Sequence, residues 1–129
     1  MYKNTLLMIK QSPLIGYGTG ALRFEYNKLA STQDTLLKDV PNPHNQYLLT
    51  FFELGIIGLI ALFFMFYRFW EHSNIIGGSD KYAGMYLKGV VLTIAIGSLF
   101  NSLLLDATEG KFFCVLSGLL LSAYNQKND

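Results

Sequence analysis

Chemistry in this 129-residue chain points first to His44, set between Pro43 and Asn45 and directly ahead of an apolar run from Gln46 to Trp70. An imidazole titrating near neutrality accepts a hydroxyl proton at working pH, so His44 is the candidate general base. Taken alone, a histidine at such a place is more often an ordinary polar contact. Between Gln46 and Trp70 only Glu53 and Arg68 are charged. A carboxylate in apolar surroundings is costly unless protonated or paired, so Glu53 is expected to face another helix or a wet cavity. On a regular helix, at ~100° per residue, Glu53 falls about 180° from His44, and the two cannot form a dyad. Gly55 falls about 20° from His44, with Leu62 on the same line and Phe51 and Gly58 within about 40°. That face carries two glycine notches, Gly55 and Gly58, which read as helix-packing positions. His72 reads as an interface or loop residue. The single cysteine, Cys114, leaves neither an internal disulfide nor a thiolate metal cluster, and no metal or other cofactor is expected.

Several elements must hold His44 in place. Pro41-Asn42-Pro43 ends any preceding helix and keeps the approach extended. Asn45 has the side chain of a helix N-cap. The apolar run that follows matches a hydrocarbon core of ~30 Å at ~1.5 Å per residue. Tyr67, Arg68, Phe69 and Trp70 at its far end form an interface signature. As a core helix of a soluble protein it would need more surrounding chain than this sequence supplies. A polar connector from Glu71 to Tyr82 leads to a second apolar run, Ala83 to Leu105. Its residues Gly89, Gly97, Ser98, Asn101 and Ser102 suit close helix contact. A turn from Asp106 to Lys111 precedes a third run, Phe112 to Tyr124, which is short for a crossing.

Upstream, Tyr2 to Ser12 is helix-compatible but too short to span, and Pro13 stops it. Gly16-Tyr17-Gly18-Thr19-Gly20 can turn backbone N–H groups toward an anion. No strand precedes it and no βαβ unit follows, so a dinucleotide site is excluded and a tight turn between helices is the reading. Ala21 to Val40 is part helix, part loop, with Arg23, Lys28 and Lys38 alternating with Glu25, Asp34 and Asp39 on a solvated face.

The expected fold is therefore all-α and integral to a membrane. About three transmembrane helices, near 47–69, 85–105 and 111–125, follow an extracytoplasmic region of short helices and loops at 1–45. A net charge of +1 excludes a field suited to nucleic acid. The lysines and arginines lean toward a cytoplasmic connector between the first two spans and an extracytoplasmic His44. The N-terminus carries no cleavable signal pattern and reads as a helix entered partway, so the chain is expected to be the C-terminal piece of a longer protein.

The run His44-Asn45, nine residues, then Gly55-Ile56-Ile57-Gly58 resembles the signature of the O-antigen ligase and polysaccharide polymerase superfamily. Ser12-Pro13-Leu14-Ile15-Gly16-Tyr17-Gly18-Thr19-Gly20 is similar to that family's approach to its histidine. The resemblance covers roughly Tyr2 to Leu121. It implies a multi-pass protein of the bacterial inner membrane, with transfer of a glycan from undecaprenyl diphosphate to an acceptor hydroxyl on a glycan, a lipid A-core or a protein. His44 matches the family's base. Asn45 would orient it or cap the helix, and Arg23, the one arginine on the His44 side, joins Asn45 as a substrate-binding candidate. A family arginine expected just ahead of Tyr2 would fall before Met1, and the piece alone is expected to be inactive. Two other readings compete: a transporter or channel fragment whose His44 and Glu53 line a pathway, and a small membrane adaptor without chemistry.

Overall fold

Apolar, helix-forming sequence occupies most of this chain, and the computed structural model describes residues 2–33 and 42–128. Among the described residues there are five helices and no strand: α1 (Tyr2–Ile9), α2 (Ala21–Gln33), α3 (Gln46–Ser79), α4 (Lys81–Gly97) and α5 (Ala107–Asn128). The readings placed on Asp34, Lys38, Asp39 and Pro41 lie outside the described residues. The chain forms two compact units, one of Met1–Leu62 with Leu99–Ser102, the other of Phe63–Ser98 with Leu103–Asp129.

The core of the first unit follows helical spacing. Met8 and Ile9 of α1, Leu22 and Tyr26 of α2, and Leu49 and Phe52 of α3 are buried together. Each pair recurs at an i to i+1, i+3 or i+4 interval, so one stripe of each helix turns inward. Tyr17 closes this core, its ring stacked on Phe52 at 4.8 Å and 9°. The Tyr17 hydroxyl donates to the Met8 carbonyl at 3.0 Å. Burial, and then the nearby Glu25 carboxylate, push the Tyr17 phenol above its ordinary range, so it remains a protonated donor at neutral pH.

Helix α3 is not regular. Gly55 adopts φ 65°, ψ −162°, a backbone conformation open essentially to glycine alone. In a continuous α-helix the Ile56 N–H would bond the Phe52 carbonyl. Here both groups bond the segment 13–18 instead. Ile56 N–H donates to the Pro13 carbonyl at 2.9 Å, and the Phe52 carbonyl accepts from Tyr17 N–H at 3.0 Å. The Glu53 carbonyl likewise accepts from Gly18 N–H at 2.8 Å. Gly16, at φ 70°, lies against the Phe52 and Glu53 backbone, and Gly55 lies against that of Leu14 and Ile15. A side chain on either glycine would collide with main chain. The glycine run is thus a turn between helices, as its composition indicates, and it also fills the break in α3. Because of that break, and because His44 precedes the helix, the angular projection from His44 along a straight α3 does not hold.

The second unit is built by close backbone contact. A Cβ on Gly84 of α4 would lie 2.5 Å from Gly77 Cα and 2.6 Å from the Ser73 carbonyl oxygen, both on α3. Small residues let these two helices meet. The expected polar connector at 71–82 is instead helical up to Ser79. Asp80 alone separates α3 from α4, its carboxylate capping α4 by accepting from Tyr82 and Ala83 N–H at 3.1 and 3.0 Å. Phe69 meets Phe113 of α5 edge-on at 5.2 Å, and the Lys88 ammonium sits 5.4 Å from the Trp70 ring centre.

One helix among those described, α3, is long and apolar enough to cross a membrane. Only 33% of its apolar stretch is buried within the protein, whereas the core helix of a soluble protein is mostly covered. Ile57, Ile60, Phe63, Phe64 and Tyr67 stand exposed along it. The second expected span, 85–105, is not a single helix: α4 has 17 residues and ends at Gly97, where Ser98 turns the chain. At ~1.5 Å per residue, α4 is about 26 Å long, short of a ~30 Å hydrocarbon core. At the third expected span, near 111–125, α5 runs Ala107–Asn128 and does not meet the length and apolarity that α3 meets.

Gly55→Ala is expected to lower thermal stability in detergent by more than ~1 kcal/mol, since it combines a disallowed backbone with a main-chain collision. Gly89→Ala on α4, where a Cβ meets nothing within 4 Å, is expected to be neutral or to stabilise by up to ~1 kcal/mol. Comparing the two melting curves checks the break directly.

Candidate functional site

His44 lies on the exposed surface immediately before α3, with φ 50°. Left-handed backbone at a residue with a Cβ costs on the order of 1–3 kcal/mol and persists only where neighbours impose it. Three asparagines and a serine do so, all within the first unit. Asn42 Oδ1 accepts from the His44 backbone N–H at 2.9 Å and from Ser102 Oγ at 2.6 Å. Asn45 Oδ1 accepts from Leu48 N–H at 2.9 Å, the bond of an N-cap to the third helical residue. Its Nδ2 donates to the Leu99 carbonyl at 2.9 Å. Asn45 is therefore both the cap of α3 and a tie to the turn 99–102. Asn101 completes the arrangement, its Oδ1 lying 3.4 Å from His44 Nδ1 and accepting from Ser102 N–H at 2.9 Å. An imidazole held this way, exposed at the start of an apolar helix, can take a proton from a hydroxyl brought to its outer face.

The remaining candidates fall elsewhere. Arg23 is an exposed side chain on α2, outside these asparagine bonds. The space beside Gly55 is taken by the Leu14–Ile15 backbone rather than by a second helix, and that beside Gly58 by Leu54 of α3 itself. Gly55 makes the break in α3, and Gly58 leaves room for the Leu54 side chain just ahead of that break. Glu53 is half-buried, and its Oε1 accepts from Gly20 N–H at 2.8 Å, immediately ahead of α2. A carboxylate there complements the positive end of the helix dipole. Its position is thus accounted for by anchoring α2, without any pathway along α3. His72 is part-buried farther along α3, within 3.5 Å of Arg68, which also pairs with Glu71 at 3.0 Å.

Asn42, Asn101 and Ser102 were not among the residues singled out for chemistry. By sequence the first belongs to the proline approach and the other two suit helix packing in a span. A sequence signal for them exists: Asn101-Ser102, separated from the Gly97-Ser98 helix end by Leu99 and Phe100, is turn chemistry rather than membrane-helix chemistry.

Residues 1–63 match a family model described as O-antigen ligase. The match takes in the glycine run, His44, Asn45, Glu53, Gly55 and Gly58, and ends within α3. No curated protein and no solved structure matches the chain.

Asn45→Ala removes the cap and the tie to Leu99 together, and is expected to destabilise by about 0.5–2 kcal/mol. Asn45→Asp keeps the cap oxygen and loses only the Nδ2 donor, so it should recover a large part of that loss. Chemical denaturation of the two variants in detergent separates the two bonds, and equal losses would remove the cap from the account.

Proposed function

Starting from an O-antigen ligase-like segment at residues 1–63, we propose that this chain is part of a membrane enzyme that transfers a lipid-linked glycan, with His44 as its general base. The observation that carries this reading is the placement of His44: an exposed imidazole in an imposed left-handed conformation at the mouth of the one described helix long enough to cross a membrane. Strain kept at a polar, exposed position is commonly kept for function.

In the proposed reaction an acceptor hydroxyl attacks the anomeric carbon of a glycan carried on undecaprenyl diphosphate. The new C–O bond forms as the bond to the diphosphate breaks, and the lipid diphosphate leaves with the electron pair. His44 Nε2 takes the hydroxyl proton as attack proceeds, so that a neutral alcohol becomes an alkoxide-like nucleophile without a free alkoxide forming. Cations must hold the departing diphosphate, a task for which a planar guanidinium is suited. Arg23 is the candidate that this chain offers, and Asn45 serves the reaction by fixing the backbone from which His44 projects. The acceptor is a hydroxyl of a glycan, a lipid A-core or a protein. In this reading α3 crosses the bacterial inner membrane with the His44 end outside the cytoplasm. The α4 and α5 helices contribute to a multi-pass protein.

His44→Ala and His44→Gln, introduced into the gene in its host, are expected to lower the surface-polysaccharide product roughly 10²–10⁴-fold with protein levels unchanged. Glutamine retains hydrogen bonding but cannot take the proton. Product at the unaltered level in both variants would remove His44 from catalysis.

A further inference from the structure

We infer that Asn101 is the positioning residue that selects the catalytic tautomer of His44, an inference that rests on His44 being the base. An asparagine's oxygen and nitrogen are told apart by their hydrogen bonds. Asn101 Oδ1 accepts from Ser102 N–H at 2.9 Å, and an NH₂ group cannot accept that bond. The oxygen assignment is thereby fixed. The same oxygen is the atom that faces His44 Nδ1 at 3.4 Å. A carbonyl oxygen has no proton to give, so the pair is a hydrogen bond only when Nδ1 carries the hydrogen. In the neutral imidazole that leaves the lone pair on Nε2. Free histidine favours the opposite arrangement, with the proton on Nε2, which would leave a donor where the base needs a lone pair. One hydrogen bond from a residue 57 positions away thus decides whether Nε2 is an acceptor or a donor.

The bond is supported rather than incidental. Ser102 is buried, its backbone N–H holds Asn101 Oδ1, and its hydroxyl donates to Asn42 Oδ1, which in turn holds the His44 backbone. The imidazole and its partner are therefore referenced to the same serine. A buried polar group with each partner supplied resists reorientation, because breaking one bond leaves another unsatisfied. In this arrangement Asn101 touches no reacting atom. It acts through His44, in the manner by which a hydrogen-bonded second partner sets which imidazole nitrogen reacts.

The test reads the imidazole itself. The ¹⁵N-labelled chain in detergent micelles, at a pH where imidazole is neutral, gives long-range ¹H–¹⁵N spectra in which protonated and lone-pair nitrogens differ widely. A His72→Gln background leaves His44 as the one histidine. The unaltered chain is expected to show the proton on Nδ1. Asn101→Leu is expected to move it toward Nε2, while Asn101→Asp, which keeps an acceptor oxygen, is expected to leave it on Nδ1. In the host, Asn101→Leu should lower product roughly tenfold or more, with Asn101→Asp retaining most of it. A proton on Nε2 in the unaltered chain, or a tautomer indifferent to Asn101→Leu, would overturn the assignment. A tautomer that follows Asn101 together with full product from His44→Ala would uphold the hydrogen bond and reject the base.

Discussion

A helix interrupted within an apolar stretch leaves backbone donors and acceptors with nothing to bond, and the first unit is organised around meeting that need. At Gly55 the hydrogen-bond ladder of α3 opens, and the segment 13–18 supplies the missing partners to Phe52, Glu53 and Ile56. Where water is scarce, each such group left unpaired would cost several kcal/mol, so the break and its filling segment must be present together. Glycine is required on both sides of the contact. Gly16 and Gly55 each take positive φ and each abuts the other segment's main chain. Glu53 adds a second attachment through Gly20, and by doing so sets where α2 starts. Tyr17 stacks on Phe52 in the same contact, which ties the filled break to the buried residues of α1 and α2.

The break matters to the chemistry because it anchors the stretch of α3 that His44 precedes. Between Asn45 and Gly55 lie under three helical turns. One end is held by the 13–18 segment, and the other by Asn42 and Asn45 against the 99–102 turn. His44, between the anchored Asn42 and Asn45, has little backbone freedom, which is what a base needs if it is to meet a hydroxyl in one orientation. No single bond here is strong. Each is worth on the order of 1 kcal/mol net, and their value is that the same few residues satisfy several at once.

Much of this was legible in the residues. Asn45 as an N-cap, the glycine run as a turn and the apolar α3 follow from local rules and appear in the structure. The long-range parts do not follow from them. A periodic projection assumes a continuous ladder, and nothing within Gln46–Trp70 shows that the ladder opens at Gly55. That depends on a second glycine segment arriving from 39 residues earlier in the chain, at Gly16. Glu53 looked anomalous as an acid in an apolar run because its partner is a backbone amide, which sequence patterns do not display. Asn101 and Ser102 were absorbed into a span because an apolar average runs through them, whereas the helix ends at Gly97 and they serve a turn. The converse holds at 71–82, where polar and glycine residues suggest a connector and the chain is helical to Ser79. The glycine content serves instead the close contact of Gly77 with Gly84, and Asp80 alone makes the turn.

Amide hydrogen exchange at Tyr17 and Gly18 tests the central claim most directly. Both residues lie in a glycine-rich turn whose amides would exchange rapidly if the turn were merely a connection. If the segment fills the break in α3, the two N–H groups exchange slowly and at rates that track that of Ile56, since all three open together. Rapid exchange at Tyr17 and Gly18 beside a protected Ile56 would mean that α3 completes its own ladder, and the account of how His44 is held would fail.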